Sequence, residues 1–345
     1  MNSQTNPIHA PKPGLTLVEL VVVLVILAIL ATVAVSTVAP RVDQQRFEST
    51  QRLIQNVERA IYQRETNSDG SSFDSGFLVD LGGLPTAYDE GDGSLSLRQL
   101  MENTGFEPFS IRPADSITNL KDSDDDDVKP DSQVLIGTGW RGPYLKLPVG
   151  ANSLFDAWGH PLRSPEPPST PPSSHLRGPG DTDVTSAGGE IIGVRSLGKD
   201  NATGGSQYDQ DLPSTASGIQ LTRSQLFGTV TGTVKKLGTS AEDTKIIVQL
   251  FYPDKATGNI RVERATILPK INDGEFDVFS FEFKDNDNFD VLFPVGPRAL
   301  RAYYEDIPDS SPDFSDGISD DPDKSQIRYF NLRSQNNHLA DVVIP

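Results

Sequence analysis

The feature that most constrains this chain is an uncharged apolar run of 20 residues, positions 20–39. A helix rises about 1.5 Å per residue, so this run spans about 30 Å, the thickness of the hydrocarbon layer of a bilayer. A buried core helix is the alternative, but it requires a large protein to surround it. The run therefore predicts a single transmembrane helix.

The residues after the apolar run continue the helix. Ile54, Val57 and Ile61 recur at spacings of three and four residues, which places them on one helical face. A secretory signal peptide would instead end at small residues that form a cleavage site. Pro40 lies between the two parts and lacks an N–H donor, so we expect a kink there. The sequence predicts one long helix over residues 15–65.

An isolated acid, Glu19, lies at the start of the apolar segment, where an unpaired carboxylate is costly. One interpretation is a residue at the membrane interface that the helix N-terminus stabilises. The other is a contact with another subunit, and the flanking residues favour it. Residues 13–20, PGLTLVEL, resemble the class III leader site of type IV pilins and type II secretion pseudopilins.

This resemblance implies a processing step and an assembly contact. A prepilin peptidase is expected to cut after Gly14, which makes residues 1–14 a leader. Leu15, which stands where the family more often has Phe or Met, becomes the new N-terminus and the expected site of methylation. The resemblance also implies that Glu19 pairs with the N-terminal ammonium of a neighbouring subunit.

Further motifs narrow the resemblance to the type II secretion major pseudopilin. Residues 142–146 (GPYLK) and 156–161 (DAWGHP) are similar to that family's GPYLKK and DPWGNPY stretch. Residues 196–200 (SLGKD) are similar to its SLGADG loop. The resemblance covers residues 13–65 and 138–212.

The same resemblance implies a calcium site in the Gly-rich segment that follows. Its ligands would be the carboxylates of Asp200, Asp209 and Asp211, with backbone carbonyls of Leu197 and Ser196. Calcium prefers such a mixture of carboxylate and carbonyl oxygens at turns. An acidic surface loop is the alternative.

Three stretches depart from the family pattern: an acidic insert at 66–137, a Pro-rich insert at 165–185, and everything after 216. Within the first, residues 122–127 (DSDDDD) lack the Gly of a calcium loop, so we interpret them as a solvated loop. The Pro- and Ser-rich residues 164–180 are expected to form an extended excursion.

From about residue 219 the pattern changes to short strands separated by Gly, Pro, Asp and Asn turns, which predicts an antiparallel sandwich. It is similar to transthyretin-like or carboxypeptidase regulatory-like modules. We expect this region to fold alone; the alternative is that its strands extend the pseudopilin sheet. The candidate strands are 225–234, 245–252, 262–268, 276–283, 289–293, 300–304, 328–332 and 339–344.

The predicted fold class is α+β, with a long N-terminal helix packed on a small antiparallel sheet and a C-terminal all-β sandwich. Five parts follow in order. They are the leader (1–14), the transmembrane and amphipathic helix (15–65), the pseudopilin globular domain (66–212), a linker (213–218) and the sandwich domain (219–345).

Composition excludes several functions. The net charge of −18 makes nucleic-acid binding unfavourable, because phosphate is repelled. The absence of cysteine excludes disulfides, thiolate metal sites and cysteine nucleophiles. Asp156 and His160 invite a catalytic interpretation, but we interpret their segment as a turn whose Trp158 packs on the helix. We expect no enzymatic activity.

The sequence favours a structural subunit of a type II secretion pseudopilus-like filament that drives protein export across the cell envelope. The alternative is a type IV pilus-like surface subunit whose C-terminal domain mediates adhesion or motility. Expected partners are copies of itself, other pseudopilins, the prepilin peptidase, and secretion platform and motor proteins. We expect a single-pass protein of the cytoplasmic (inner) membrane, with its C-terminal portion in the periplasm or otherwise outside the cytoplasm.

Overall fold

The structure is a computed structural model. It describes residues 16–85, 88–89, 95–114, 131–146, 154–163, 177–178, 182–183, 194–213, 221, 223–237, 244–255, 258–268, 271–272, 276–284, 288–306, 325–334 and 336–344. The acidic run at 122–127 and the Pro-rich residues 164–176 lie outside this description, as do the linker residues 214–218.

One continuous helix, α1, runs from Leu17 to Ile61 and confirms the long helix that the sequence predicts. Pro40 lies inside it. The helix ends where Tyr62 adopts an extended conformation, one residue before the first strand. Its apolar stripe is buried from Ile54 to Ile61, because these side chains pack into the main core.

The N-terminal half of α1 is exposed along its whole described length. Large apolar side chains from Leu17 to Leu30 are about half exposed or more, between 48% for Val21 and 79% for Leu17. Among the described residues, no helix is both long and apolar enough to cross a membrane. The membrane span over residues 20–39 therefore stays a prediction.

The described residues between 63 and 213, here called the head, contain short helices and two-stranded antiparallel ribbons. Small antiparallel sheets after the helix are therefore confirmed, but among the described residues the predicted sheet is divided into several two-stranded ribbons. The elements are β1 (Gln63–Thr66), β2 (Ser72–Ser75), α2 (Phe77–Leu81), β3 (Tyr88–Asp89), β4 (Leu95–Ser96), α3 (Arg98–Met101), β5 (Ser110–Ala114), β6 (Asp131–Thr138), β7 (Arg177–Gly178), β8 (Thr182–Asp183) and a 3-10 helix (Gln207–Asp209).

The C-terminal region is almost entirely strands, which confirms its all-β class. A short helix, α4 (Arg223–Leu226), occupies the start of the first predicted strand. The strands are β9 (Phe227–Gly228), β10 (Val230–Leu237), β11 (Thr244–Pro253), β12 (Ile260–Arg264), β13 (Thr266–Ile267), β14 (Ile271–Asn272), β15 (Phe276–Glu282), β16 (Phe293–Pro294), β17 (Gly296–Asp306), β18 (Ser325–Leu332) and β19 (Asn337–Ile344).

These strands form two main sheets and a separate β16–β9 pair. The first has the order β13-β15-β10-β19, with β14 also on β15, and the second has the order β12-β11-β17-β18. The second sheet is antiparallel throughout, but β19 lies parallel to β10 in the first. The purely antiparallel arrangement is thus wrong at this pair, because the last strand returns beside β10 in the same direction.

The second sheet is covered on both faces. Alternate residues of β11, among them Val248 and Leu250, face the main core that they share with the first sheet. Phe251 points to the other face, where it packs with Val134 and Ile136 of the β5–β6 ribbon. Side chains on a strand alternate between faces, so one strand serves both layers. The head therefore supplies the outer cover of a C-terminal sheet.

The main core is shared between α1, the head and the C-terminal region. It includes Val57 of α1, Leu81 of α2, and Phe281 and Phe293 of the C-terminal strands. Within the described ranges, no hydrogen-bonded ladder joins a head strand to a C-terminal strand. Side-chain packing therefore connects the two regions, while the boundary at 213–218 and independent folding of 219–345 stay predictions.

Helix α2 brings the two regions into close contact. All five of its residues are buried, and Gly82 ends it in a left-handed conformation with φ of 73°. A Cβ at Gly82 would overlap the carbonyl oxygen of Pro253 at the end of β11. The backbone of one region thus lies directly against that of the other, and only glycine permits this approach.

We predict that Gly82→Ala destabilises the protein by more than about 3 kcal/mol, since it adds overlap to the cost of a left-handed alanine. Gly70→Ala is the matched control, because Gly70 has φ of 83° and nothing within 4 Å of a Cβ. It should cost only about 1–2 kcal/mol. Denaturant unfolding of both variants measures the difference, and equal losses would contradict the close contact.

Candidate functional site

The structure places Glu19, one of the predicted N-terminal site residues, in the first turn of α1. Gly14 and Leu15 lie outside the described residues. Glu19 accepts hydrogen bonds through Oε2 from the Thr16 backbone N–H at 2.9 Å and from the Thr16 hydroxyl at 3.1 Å. The Glu19 N–H in turn donates to Thr16 Oγ1 at 3.3 Å. This capping box satisfies the Glu19 carboxylate within its own chain.

Thr16 is a partner that our sequence interpretation missed. The pattern Thr-x-x-Glu before an apolar run is itself the signature of a capping box, so the signal was present. In this structure Glu19 is exposed and paired locally. A contact with a neighbouring subunit would form at a carboxylate that is already hydrogen-bonded within its own chain.

Among the described residues, the most extensive exposed apolar surface is that of α1. Thirteen successive positions of mostly Leu, Val and Ile, from residue 18 to residue 30, present their side chains outward. A continuous apolar surface of this size marks contact with another protein or with a membrane. The surface therefore requires a partner that the isolated chain does not supply.

The segment containing Asp156 is a turn held by one carboxylate. Asp156 Oδ1 accepts hydrogen bonds from the N–H groups of Trp158 at 2.9 Å and His160 at 2.8 Å. Its Oδ2 accepts from the Ser196 hydroxyl at 2.7 Å. These bonds give the buried Asp156 a structural role, because they close the turn and join it to the segment at Ser196.

This turn packs on α1, as the sequence predicts. The Trp158 ring meets Phe47 edge-on, with ring centroids 6.4 Å apart. The N–H of Ala157 donates to Thr50 Oγ1 at 3.0 Å. Phe47 and Thr50 are less than one turn apart on the helix, so the turn fixes one helical face against the head.

The predicted calcium ligands lie in one loop, residues 196–212, here called the acidic loop. Its ends are joined where Ser196 and Leu212 exchange backbone hydrogen bonds of 2.8 and 2.9 Å. Inside, the N–H of Lys199 donates to the carbonyl of Tyr208 at 2.9 Å, and that of Asp211 donates to Gly204 at 3.2 Å. Asp209 ends the short 3-10 helix.

The three carboxylates do not form a metal site by themselves. Among the described residues, no group of three or more His, Asp or Glu side chains is close enough to hold a metal ion. Asp200 Oδ1 instead accepts from the N–H of Ala202 at 3.1 Å. Asp211 Oδ1, however, is buried and has no hydrogen-bond partner. A buried carboxylate oxygen without a donor suits a hard cation, whose other ligands would be backbone carbonyls of the loop.

The acidic loop also contacts α1 through residues that the sequence did not single out. Lys199 Nζ lies 2.7 Å from Asp43 Oδ2 on the helix. The Tyr208 ring meets Phe47 edge-on, with centroids 6.1 Å apart. Lys199 and Asp43 are 156 residues apart in the chain, so no local pattern could reveal their pairing.

Tyr144 of the GPYLK motif and the preceding Arg141 both bind a buried carboxylate on α2. Tyr144 donates its hydroxyl to Asp80 Oδ2 at 3.0 Å, and the guanidinium of Arg141 lies 3.1 Å from Asp80 Oδ1. Burial raises the pKa of Asp80, while Arg141 opposes that rise. Arg141 also stacks on Phe109, 3.8 Å from the ring centroid. The motif thus holds α2 in place.

Comparisons with known proteins support the N-terminal assignment. Residues 11–35 match the family model of the prokaryotic N-terminal methylation motif. The type II secretion system core protein G of Xanthomonas campestris pv. campestris is 39% identical over 75 residues, which are 22% of this chain and 36% of that protein. The chain thus spans about a third of that relative's length in the match. No solved structure matches the chain. The resemblance to the type II secretion major pseudopilins is confirmed.

Proposed function

We propose that this chain, which carries the prepilin methylation motif and resembles the type II secretion major pseudopilins, is the structural subunit of a pseudopilus-like filament. The observation that carries the proposal is the exposed apolar half of α1 directly after that motif. Filament assembly would bury this surface against the same surface of other subunits. Packing against other subunits would keep these side chains out of water once the helix has left the bilayer.

The proposed mechanism begins with a precursor anchored in the cytoplasmic membrane by residues 20–39, with the head and C-terminal region outside the cytoplasm. A prepilin peptidase cuts after Gly14 and exposes the amino group of Leu15. The apolar helices then leave the bilayer and pack together as the filament core. Platform and motor proteins supply the energy, and growth of the filament drives protein export. The chain has no catalytic step in this scheme.

Glu19 determines register in this proposal. In the structure its carboxylate is paired with Thr16 of its own chain. Removal of this carboxylate from water without a cationic partner would be costly, so each added helix would settle where a neighbour's N-terminal ammonium meets Glu19. The charge of Glu19, rather than its capping bonds, is then the property that assembly requires.

We also propose that the acidic loop binds calcium. The support is the buried Asp211 Oδ1, which has no hydrogen-bond partner and belongs to the same loop as Asp200 and Asp209. Asp200, Asp209 and Asp211 would contribute carboxylate oxygens, and Leu197 a carbonyl. The ion would neutralise this local negative charge and stabilise the loop against α1 and the Asp156 turn.

The first test concerns processing. Mass spectrometry of the protein extracted from the membranes of cells that contain the peptidase should show an N-terminus at Leu15, with an added methyl group. In cells without the peptidase the protein should retain residues 1–14. A chain that starts at Met1 in both cells would refute the processing step.

The second test separates the charge of Glu19 from its capping role. Glu19→Gln keeps a side chain that can complete a capping box, but it removes the charge. We predict that it inserts normally and reduces filaments at least tenfold, as counted by electron microscopy. Glu48→Gln is the matched control, because Glu48 is an exposed acid on the same helix that pairs with Arg52 at 3.7 Å. Normal filament numbers with Glu19→Gln would exclude ion pairing.

The third test is the calcium dependence of stability. Calcium at a hundredfold excess over its Kd should stabilise the full-length protein in detergent by about 2.7 kcal/mol, because it binds the folded state. Asp211→Asn should abolish this rise in Tm, whereas Glu102→Gln, at an exposed acid paired with Arg98, should retain it. If the wild type has the same Tm with calcium and with chelator, the proposed calcium site is contradicted.

A further inference from the structure

Lys199 lies between the helix and the proposed cation ligands. Its ammonium contacts Asp43 of α1 at 2.7 Å, and it directly precedes Asp200 in the acidic loop. The hydrogen bond and charge of Asp43 raise the pKa of Lys199, and the carboxylate of Asp209 raises it further. The ammonium is thus held on the helix by Asp43, one residue before a proposed calcium ligand in the chain.

A second contact connects the same two elements. Tyr208, whose carbonyl accepts the Lys199 N–H, packs its ring on Phe47 of α1. Phe47 is four residues after Asp43, so both contacts fall on one face of the helix. The position of the acidic loop on α1 thus depends on residues that immediately neighbour Asp200 and Asp209.

We propose that the Asp43–Lys199 ion pair couples cation binding in the acidic loop to the docking of that loop on helix α1. Asp43 holds the Lys199 ammonium on the helix, away from the ligand oxygens. Without Asp43, the ammonium turns toward Asp209 and competes with the cation. This inference rests on the proposed calcium site. It gives Asp43 an effect on calcium affinity although Asp43 is not itself a calcium ligand.

Coupling of this kind is reciprocal. If docking of Lys199 on Asp43 favours calcium, then calcium must favour docking by the same factor. Calcium repels an ammonium among its ligands, so a bound ion drives Lys199 toward Asp43. The proposed filament subunit would therefore hold its helix more firmly against the head when calcium is present.

The coupling is tested by calcium titration of the full-length protein in detergent, with isothermal calorimetry as the readout. Asp43→Asn should weaken calcium binding by about two- to fivefold, the range expected for an exposed ion pair. In a Lys199→Gln background, the same Asp43→Asn change should have no effect, because no ammonium remains to compete. The double-mutant cycle isolates this dependence.

Glu48→Gln is the matched control, because it removes one negative charge from the same helix without touching the loop contact. It should leave calcium affinity unchanged. As a second readout, calcium should slow amide hydrogen exchange of residues 43–50 in the wild type, and much less in the Asp43→Asn variant.

The outcomes separate this proposal from the calcium site itself. Calcium binding that falls equally with Asp43→Asn in both backgrounds, or equally with Glu48→Gln, overturns the coupling and leaves the site in place. A wild-type protein that binds no calcium overturns the site and the coupling together. Filament assembly in either case is measured separately, through Leu15 and Glu19.

Discussion

The rest of the structure depends on helix α1, because its two halves differ in their surroundings. From Ile54 to Ile61 its stripe is buried in the main core, whereas residues up to Leu30 are exposed and apolar. One half therefore belongs to a folded domain and the other needs a partner. The contacts at Asp43, Phe47 and Thr50 lie between these halves and fasten the helix to the head.

The C-terminal region is joined to the head through a partly buried polar junction as well as through apolar packing. Asn331 of β18 donates to Asp74 of β2 at 2.7 Å, and Tyr62 at the end of α1 donates to the same carboxylate at 2.9 Å. Arg298 is fully buried and donates to the carbonyls of Pro294, Val295 and Pro297. Burial lowers the pKa of Arg298 to about 9. A filament built on α1 would carry the C-terminal strands in a defined position on each subunit.

Local patterns predicted local structure well. Helical periodicity identified α1, alternation located most C-terminal strands, and the motif DAWGH predicted the turn on which Trp158 meets the helix. Contacts between residues far apart in the chain were not predicted, because sequence patterns alone do not show which distant residues meet. The parallel pairing of β10 with β19, the Asp43–Lys199 contact and the Asp80–Arg141 pair all join residues far apart in the chain. Thr16 was missed although its Thr-x-x-Glu pattern was visible.

The central claim is that copies of this chain assemble through the apolar half of α1, and photo-crosslinking in the membrane tests it most directly. A photoreactive amino acid would replace Val21, Leu24 or Ile29 in turn, all of which are about half exposed in the single chain. The account predicts a ladder of covalent multimers from each position, and its loss when a Gly14 substitution blocks cleavage. Monomers alone at all three positions, or the same ladder without cleavage, would contradict it.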